Sequence, residues 1–505
     1  MNDNHIALSS RNLHETAMNT LPRTNNHPRH SILGAIIGLA LLSGCAAGPD
    51  YQPPSVAIPD QWSEQTPSAG ETANANDQEL DRWWIVFHDP LLTSLEERAL
   101  TTNLDLKLAE ARIQQARAAR LGAGSLLGPT LEDTAQYRHS RSPATAAQRS
   151  GGGAIANQFQ TGFDASWELD LFGRGRRSVE AADADLLAAA EASHSARVSL
   201  TAEVALTYLE LRTLQQSIHT VRQNIAAQEQ TAELTSQLFQ AGFTSSLDVA
   251  TAEAQTANLR AQVPPLESSA RQAMHSLAIL LGREPAALTA ELTPVSAIPV
   301  NLPKVPVGVP ADLMRRRPDI RRAEAQIHAA TARIGVAEAD LFPKLTLSGA
   351  LSLQGNAIDS WINWTNRLWS LGPSVSWQLF DSGRVKANVL QQKSLQEQSL
   401  ITYQQTVLTA LQEVEDALIA AAKEEEHHSA LTQAQEANKK NLELANALYT
   451  AGQTDFLNVI QAERAVYATD EQLTQSSKGL ATNLVTLYKA LGGGWDSVGL
   501  ETKQP

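Results

Sequence analysis

Trp167-Glu-Leu-Asp-Leu-Phe-Gly173-Arg174 returns about 210 residues later as Trp377-Gln-Leu-Phe-Asp-Ser-Gly383-Arg384. The same spacing pairs Leu238-Phe-Gln-Ala-Gly242-Phe-Thr-Ser-Ser-Leu247-Asp248-Val249 with Leu448-Tyr-Thr-Ala-Gly452-Gln-Thr454-Asp-Phe-Leu457-Asn458-Val459. It also pairs Glu253 with Glu463 and Leu281-Gly282 with Leu491-Gly492. Upstream the spacing widens to about 214, matching Ala109-Glu-Ala111 to Ala323-Glu-Ala325 and Pro129 to Pro343. The first copy therefore carries about four extra residues between Pro129 and Trp167, where Ser150-Gly-Gly-Gly153 reads as an exposed loop. Several blocks matched at one offset make the chain a tandem duplication, and each element is read twice.

In each copy a helix rich in Ala, Glu, Gln and Arg (103–126 and 318–341) stops at a proline. Two period-2 segments follow: 131–141 and 159–172 in the first copy, 346–353 and 374–380 in the second. Alternating segments of about ten residues are the signature of outer-membrane barrel strands, although the edge of a soluble sandwich alternates in the same way. Phe159, Phe163, Trp167, Trp361, Trp364, Trp369 and Trp377 supply aromatics where an interfacial girdle would lie. Long proline-free helical patterns come next, 174–239 and 384–449, each roughly 100 Å long at 1.5 Å per residue. Apolar residues recur along them at heptad spacing, as in Val407, Leu411, Val414 and Leu418. Gly242 and Gly452 then turn the chain back into helices ending near Leu281 and Leu491. Pro264-Pro265 is expected to break or kink the first returning helix, where the second has Thr474-Gln475. A linker rich in Pro and Val, 293–310, is expected to lie as an extended strap on the helices.

Working outward, the chain has 505 residues, a formal charge of −14 and one cysteine. A single cysteine excludes a disulfide framework and any multi-cysteine zinc or iron–sulfur centre. The acidity argues against a nucleic-acid partner. No run reaches the 18 or so apolar residues of a spanning helix, so a membrane crossing has to use strands. Ile32 to Leu42 suits the core of a signal peptide and ends in Leu42-Ser-Gly-Cys45, which resembles the bacterial lipoprotein box. That implies cleavage before Cys45 and acylation of its thiol, with Ala46 rather than Asp pointing to the outer membrane. Met18 offers an alternative start giving a leader of ordinary length, and removing 1–44 leaves a net charge of −15. The chain thus divides into a signal peptide (1–44), a lipid-anchored segment (45–102), a first repeat (103–292), a linker (293–317), a second repeat (318–492) and a tail (493–505).

Two strands per copy give four per chain, and four cannot close. Open sheet edges cannot face lipid, because each unpaired backbone group there costs several kcal/mol. Several chains must share one barrel: two would give eight strands with a filled interior, three would give twelve and room for a channel.

Gly48-Pro-Asp-Tyr51, Trp83-Trp84 with Phe87 and Asp89-Pro90, Arg315-Arg-Arg-Pro-Asp-Ile-Arg321 with Ala323-Glu324, and Phe342-Pro343 complete a resemblance over nearly the whole mature chain. It resembles the outer-membrane efflux proteins, the TolC-like channels, and above all their lipoprotein branch. The resemblance implies an α+β fold: a homotrimer whose twelve-stranded outer-membrane barrel, four strands per chain, continues as a long periplasmic helical barrel. It further implies the exit duct of a tripartite pump for drugs or other small toxic compounds, with a periplasmic adaptor and an inner-membrane transporter of the proton-driven RND type as partners. The exit channel of a type I protein-secretion system, and a periplasmic coiled-coil lipoprotein without a pore, are the alternatives.

Enzyme chemistry finds no motif. Gly173-Arg-Gly175 lacks the third glycine of a dinucleotide site, and no Walker A, His-Glu-x-x-His or nucleophile-elbow sequence occurs. His427-His428 after Glu424-Glu-Glu426 invites a metal reading, but adjacent helical residues point about 100° apart, so a solvated charged face is preferred. Arg315 to Arg317 with Arg321 and Arg322 could bind an anion or simply charge a helix start. No cofactor and no metal are expected. By family position the turns form the periplasmic mouth, with the adaptor docking against Gly242 with Leu247 and Gly452 with Leu457. In the family's prototype, bonds between neighbouring helices and rings of acids close this mouth. Those places fall on Asp248, Tyr449, Asn458 and Gln461, with Thr454 where the prototype has an Arg; only Asp248 and Tyr449 keep its residue type.

Overall fold

A computed structural model describes residues 46–63, 80–141, 155–298, 305, 307–359 and 361–495. The signal peptide, Cys45 and the Ser-Gly loop lie outside the described residues. Helix α1 (Pro90–Thr102) starts where the Asp89 carboxylate accepts the N–H groups of Leu91 and Leu92, with Pro90 as its first residue. It leads into α2 (Leu104–Gly124) and strands β1 (Thr130–Arg141) and β2 (Ile155–Leu169). Helices α3 (Arg174–Gln240) and α4 (Ser246–Leu280) complete the first copy. The second copy repeats the order as α5 (Pro318–Ala339), β3 (Lys344–Gly355), β4 (Arg367–Ser376), α6 (Arg384–Thr450) and α7 (Phe456–Ala490).

The duplication extends to side-chain detail. Helices α3 and α6 each run 67 residues, roughly 100 Å. Both begin after a glycine in the left-handed region, Gly173 at φ 82° and Gly383 at φ 86°. Just before each glycine an aspartate accepts the first free N–H groups: Asp170 from Gly175 and Arg176, Asp381 from Gly383 and Val385. The indole of Trp167 donates to the Leu127 carbonyl, and Trp377 repeats this bond to Leu341. Asn103 and Arg317, both N-caps, each donate to a carbonyl at the end of a returning helix, Leu280 at 2.8 Å and Ala490 at 3.0 Å.

The strands form one antiparallel sheet in the order β1-β2-β3-β4, leaving β1 and β4 as edges. The strand registers pair Thr130 with Ser166, Trp167 with Leu347 and Lys344 with Ser376. Among the helices, α3 packs against α1, α2, α4, α5 and α7, and α5 sits between α3 and α6. The main core, with Trp83, Trp84, Leu92, Tyr208, Leu277, Ile320, Val414 and Leu487, lies where the N-terminal segment, α1 and the middle of the long helices meet. Residues 46–51 are built into the upper end of this body. Ala47 donates to the Phe172 carbonyl, Arg177 bonds the Ala47 carbonyl and Asp50, and Tyr51 stacks on His328 and donates to Glu324. Gly48 passes so close to α5 that a Cβ there would sit 2.4 Å from the Gly335 Cα.

Two sequence expectations are corrected. Helix α4 runs unbroken through Pro264 and Pro265. The prolines remove two backbone bonds, but Ala252, Thr256 and Leu259 before them and Ala270, Ala273, Met274 and Leu277 after them are buried, so packing holds both halves in line. The last strand is Arg367–Ser376 rather than 374–380. The strand runs through Pro373, whose missing N–H is tolerated because β4 is an edge. Of the linker, the described part is extended except for single helical turns at Pro310–Asp312 and Leu313–Arg316. It is tied down by Arg212 to the Pro294 carbonyl and by Trp62 to that of Gly308.

Candidate functional site

The pairing register decides which residues share a face of the sheet. On one face lie Leu131, Phe163, Ala165, Trp167, Leu345, Leu347, Leu351, Trp369, Leu371 and Val375. On the other lie Thr130, Glu132, Thr134, Gln160, Asp164, Ser166, Thr346, Ser348, Ser352, Ser370 and Ser374. A soluble sandwich hides its apolar face against a second layer. Here most of the apolar face is bare, with Leu371 72% and Trp369 73% exposed, and no second sheet or long helix forms a layer over it among the described residues. An apolar outer face with a polar inner one is the pattern of an outer-membrane strand. Twelve-residue strands such as β1 and β3 reach about 40 Å, which at the usual tilt spans the apolar band of an outer membrane. The sheet also rules out a purely coiled-coil scaffold.

At the far end of the long helices are the two turns. In the first, Gly242 at φ 81° lets the Gly242 and Phe243 N–H groups reach back to the Phe239 and Leu238 carbonyls. Gly452 at φ 70° does the same with Gln453, to Tyr449 and Leu448. A Cβ at either glycine meets open space, so both are glycine for their backbone conformation. After the first turn Ser245 and Asp248 form a reciprocal capping box, joined by the Thr244 hydroxyl. The Thr244 donation and those of Ser245 hold the Asp248 carboxyl below its usual range. The second turn has no such box: Asp455 makes no side-chain cap, and Asn458 instead donates to the Thr454 hydroxyl at 2.7 Å.

Of the mouth residues named from sequence, Asp248 is engaged within its own turn and Asn458 within the other. Tyr449 packs against Phe456 with its hydroxyl buried and unpartnered, while Gln461 is exposed. Among the described residues no hydrogen bond joins Asp248 to Tyr449, Asn458 or Gln461. Leu247 and Leu457 are exposed at equivalent places, and so is Phe243, which sequence reasoning passed over although it sits in the matched block opposite Gln453. The hairpins are joined near the two turns by a small apolar cluster of Ala252, Ala445, Phe456, Val459, Ile460 and Ala462.

The other candidate chemistries dissolve into local pairing. His427 contacts Glu424 and His428 contacts Ser477, and no group of three metal-binding side chains occurs among the described residues. Arg317 is held by Asp319 and Glu413, Arg315 by Asp312, and Arg321 by the buried Glu191, so this block already has its anions within the chain.

The comparisons agree with this geometry. The family model described as outer membrane efflux protein matches residues 95–283 and 309–493, one match per copy. Nodulation protein T of Rhizobium leguminosarum bv. trifolii is 33% identical over 91% of this chain and 96% of its own length. The toluene efflux pump outer membrane protein TtgF of Pseudomonas putida is 32% identical over 90% of this chain and 95% of its own. The solved outer-membrane channel OprN is similar with a TM-score of 0.84 and 35% identity, covering 90% of this chain and 100% of that one.

Proposed function

The chain belongs to the outer membrane efflux protein family and is the outer-membrane channel of an efflux pump; on that premise we propose how its parts do the work. Three copies join through the β1 and β4 edges into a twelve-stranded barrel, with the apolar face toward lipid and the polar face toward the lumen. The helices continue the lumen as a periplasmic duct. Cys45 carries the acyl anchor, and the segment 46–51 that follows it is bound beside α3 and α5. The turns at Gly242 with Leu247 and Gly452 with Leu457 receive a periplasmic adaptor, which couples the duct to an inner-membrane transporter. Asp248, Tyr449, Asn458 and Gln461 surround the mouth. The cargo is small toxic compounds, toluene, solvents and antibiotics being those named for relatives.

The observation that carries this reading is the bare apolar face of a sheet with two open edges. Such a surface is stable only in lipid and only when the edges meet copies of themselves. Purified full-length protein is expected to run as a trimer on unheated gels and to give discrete conductance in planar bilayers. Monomers without conductance would overturn the assembly. Deleting the gene is expected to sensitise cells to toluene-like solvents or antibiotics, and unchanged susceptibility to both would overturn the cargo class.

A further inference from the structure

Between the main core and the small apolar cluster near the turns, α3 and α7 bury mostly polar side chains, with Val221 and Val466 as apolar exceptions. On α7 the small cluster ends at Ala462 and the main core resumes at Ala481; on α3 the main core ends at Leu211. In the gap, Glu463 is 3% exposed and accepts the Thr231 hydroxyl at 2.8 Å through one carboxyl oxygen. Its second oxygen is buried with no partner. Gln228, one turn before Thr231, is fully buried with its amide near the Glu463 carboxyl but making no well-formed hydrogen bond, and the Tyr467 hydroxyl, one turn beyond Glu463, is likewise buried and unbonded. Buried polar atoms left unpaired cost free energy, so this layer weakens the packing between the two hairpins.

We propose that Glu463 is the positioning residue of the mouth: protonated, it lets α7 lie against α3 and holds the second hairpin on the first, and ionised, it drives the hairpins apart. Burial raises the Glu463 carboxyl above the usual carboxylate range, while the Thr231 hydroxyl and the nearby Gln228 amide oppose that only in part. The other elements bring no compensating cation. Helix α3 presents Gln228 and Thr231; α4 presents Gln255, which takes Arg464 on the exposed side. Helix α6 presents Asn438 and Gln435 to Thr469 and Asp470 further along α7. The titratable neighbours on α7 are Tyr467, Arg464 and Asp470, and none pairs with the Glu463 carboxyl among the described residues.

The sign follows from linkage. With the hairpins together the carboxyl holds its proton to higher pH than when they are parted and wet. The closed contact is therefore strongest at low pH and weakens as pH rises above the usual carboxylate range, by at most about tenfold per pH unit for one proton. The inference rests on the channel reading for its consequence but not for its test. Hydrogen exchange of residues 456–470 in the full-length protein in detergent, corrected for intrinsic rates between about pH 5 and pH 8, is expected to show protection falling with pH. Glu463→Gln, which keeps an acceptor for Thr231 but cannot ionise, and Glu463→Met, which fills the layer with an apolar chain, are expected to keep protection constant. A flat profile in the unaltered protein, or the same slope in both variants, overturns the inference. Bilayer conductance should rise with pH only in the unaltered protein. If exchange behaves as expected and no form conducts, the catch stands and the channel reading falls.

Discussion

Helices α2 and α5 are copies of one sequence pattern in different surroundings. Helix α5 lies between α3 and α6 and buries thirteen residues, among them Ile320, Ile327 and Ile334. Helix α2 touches only α3 of the long helices, buries just Leu106 and Ala109, and leaves Leu104, Leu108 and Leu121 exposed. What α2 lacks is an α6 on its other side, and the chain's own α6 is already packed against α5 and α7. The exposed Leu390, Ile401 and Leu408 of α6 are the matching bare surface. The same asymmetry appears in the sheet, where β2 and β3 are paired on both sides and β1 and β4 on one. A duplicated chain thus satisfies its internal seam and leaves an equivalent seam open at each end, for a neighbouring copy to close.

The most damaging way to break the comparison is at the caps. Arg317→Ala strips a buried guanidinium from Asp319, Glu413 and the Ala490 carbonyl and, because the two carboxylates it leaves reach solvent, is expected to cost about 2–3 kcal/mol. Asn103→Ala, at the equivalent place, removes a cap and one bond and should cost only about 1–2 kcal/mol. Denaturant unfolding of both variants measures the ratio, and equal losses would show that the two seams are equally tight. Leu104→Lys with Leu121→Lys should leave the helix content of the protomer unchanged while abolishing the trimer. Each leucine buried in a neighbour contributes roughly 1.5–3 kcal/mol, and sedimentation in detergent reads the result. Gly335→Leu copies into α5 the residue that α2 carries at the matched place. The added side chain meets the Ala47 carbonyl and Arg177, so the N-terminal segment is expected to detach, at about 1–3 kcal/mol, with faster proteolysis around residues 46–52. Leu121→Gly, by contrast, should leave that segment as resistant as before.

Much of the fold was legible because its signals are local. The glycines ending α3 and α6, the prolines after α2 and α5, and the alternation in β1 and β3 each follow from backbone sterics or side-chain period. Legibility failed where a local penalty was offset at long range. Pro264-Pro265 does not break α4 because α4 is packed on both sides of them, and Pro373 does not end β4 because its missing N–H falls on an open edge. At the far end of the long helices, sequence comparison found the turns but not the contacts between hairpins. Glu463 stood out only as a repeat marker matched to Glu253, yet Glu463 is buried against α3 while Glu253 is exposed.

By itself the sequence determined that the chain is built twice from one unit, that each unit offers two strands and a long helical hairpin, and that four strands cannot form a closed barrel. These are consequences of period, chain length and backbone hydrogen bonding, which operate within a segment. The tertiary structure alone decided which face of the sheet is apolar and bare, which copy of the first helix is buried, and where the packing between hairpins turns polar. Those properties depend on pairing register and on contacts between residues hundreds of positions apart, such as Thr231 with Glu463 and Gly48 with Gly335. Two nearly identical segments can meet opposite neighbours, and no pattern within either one records which.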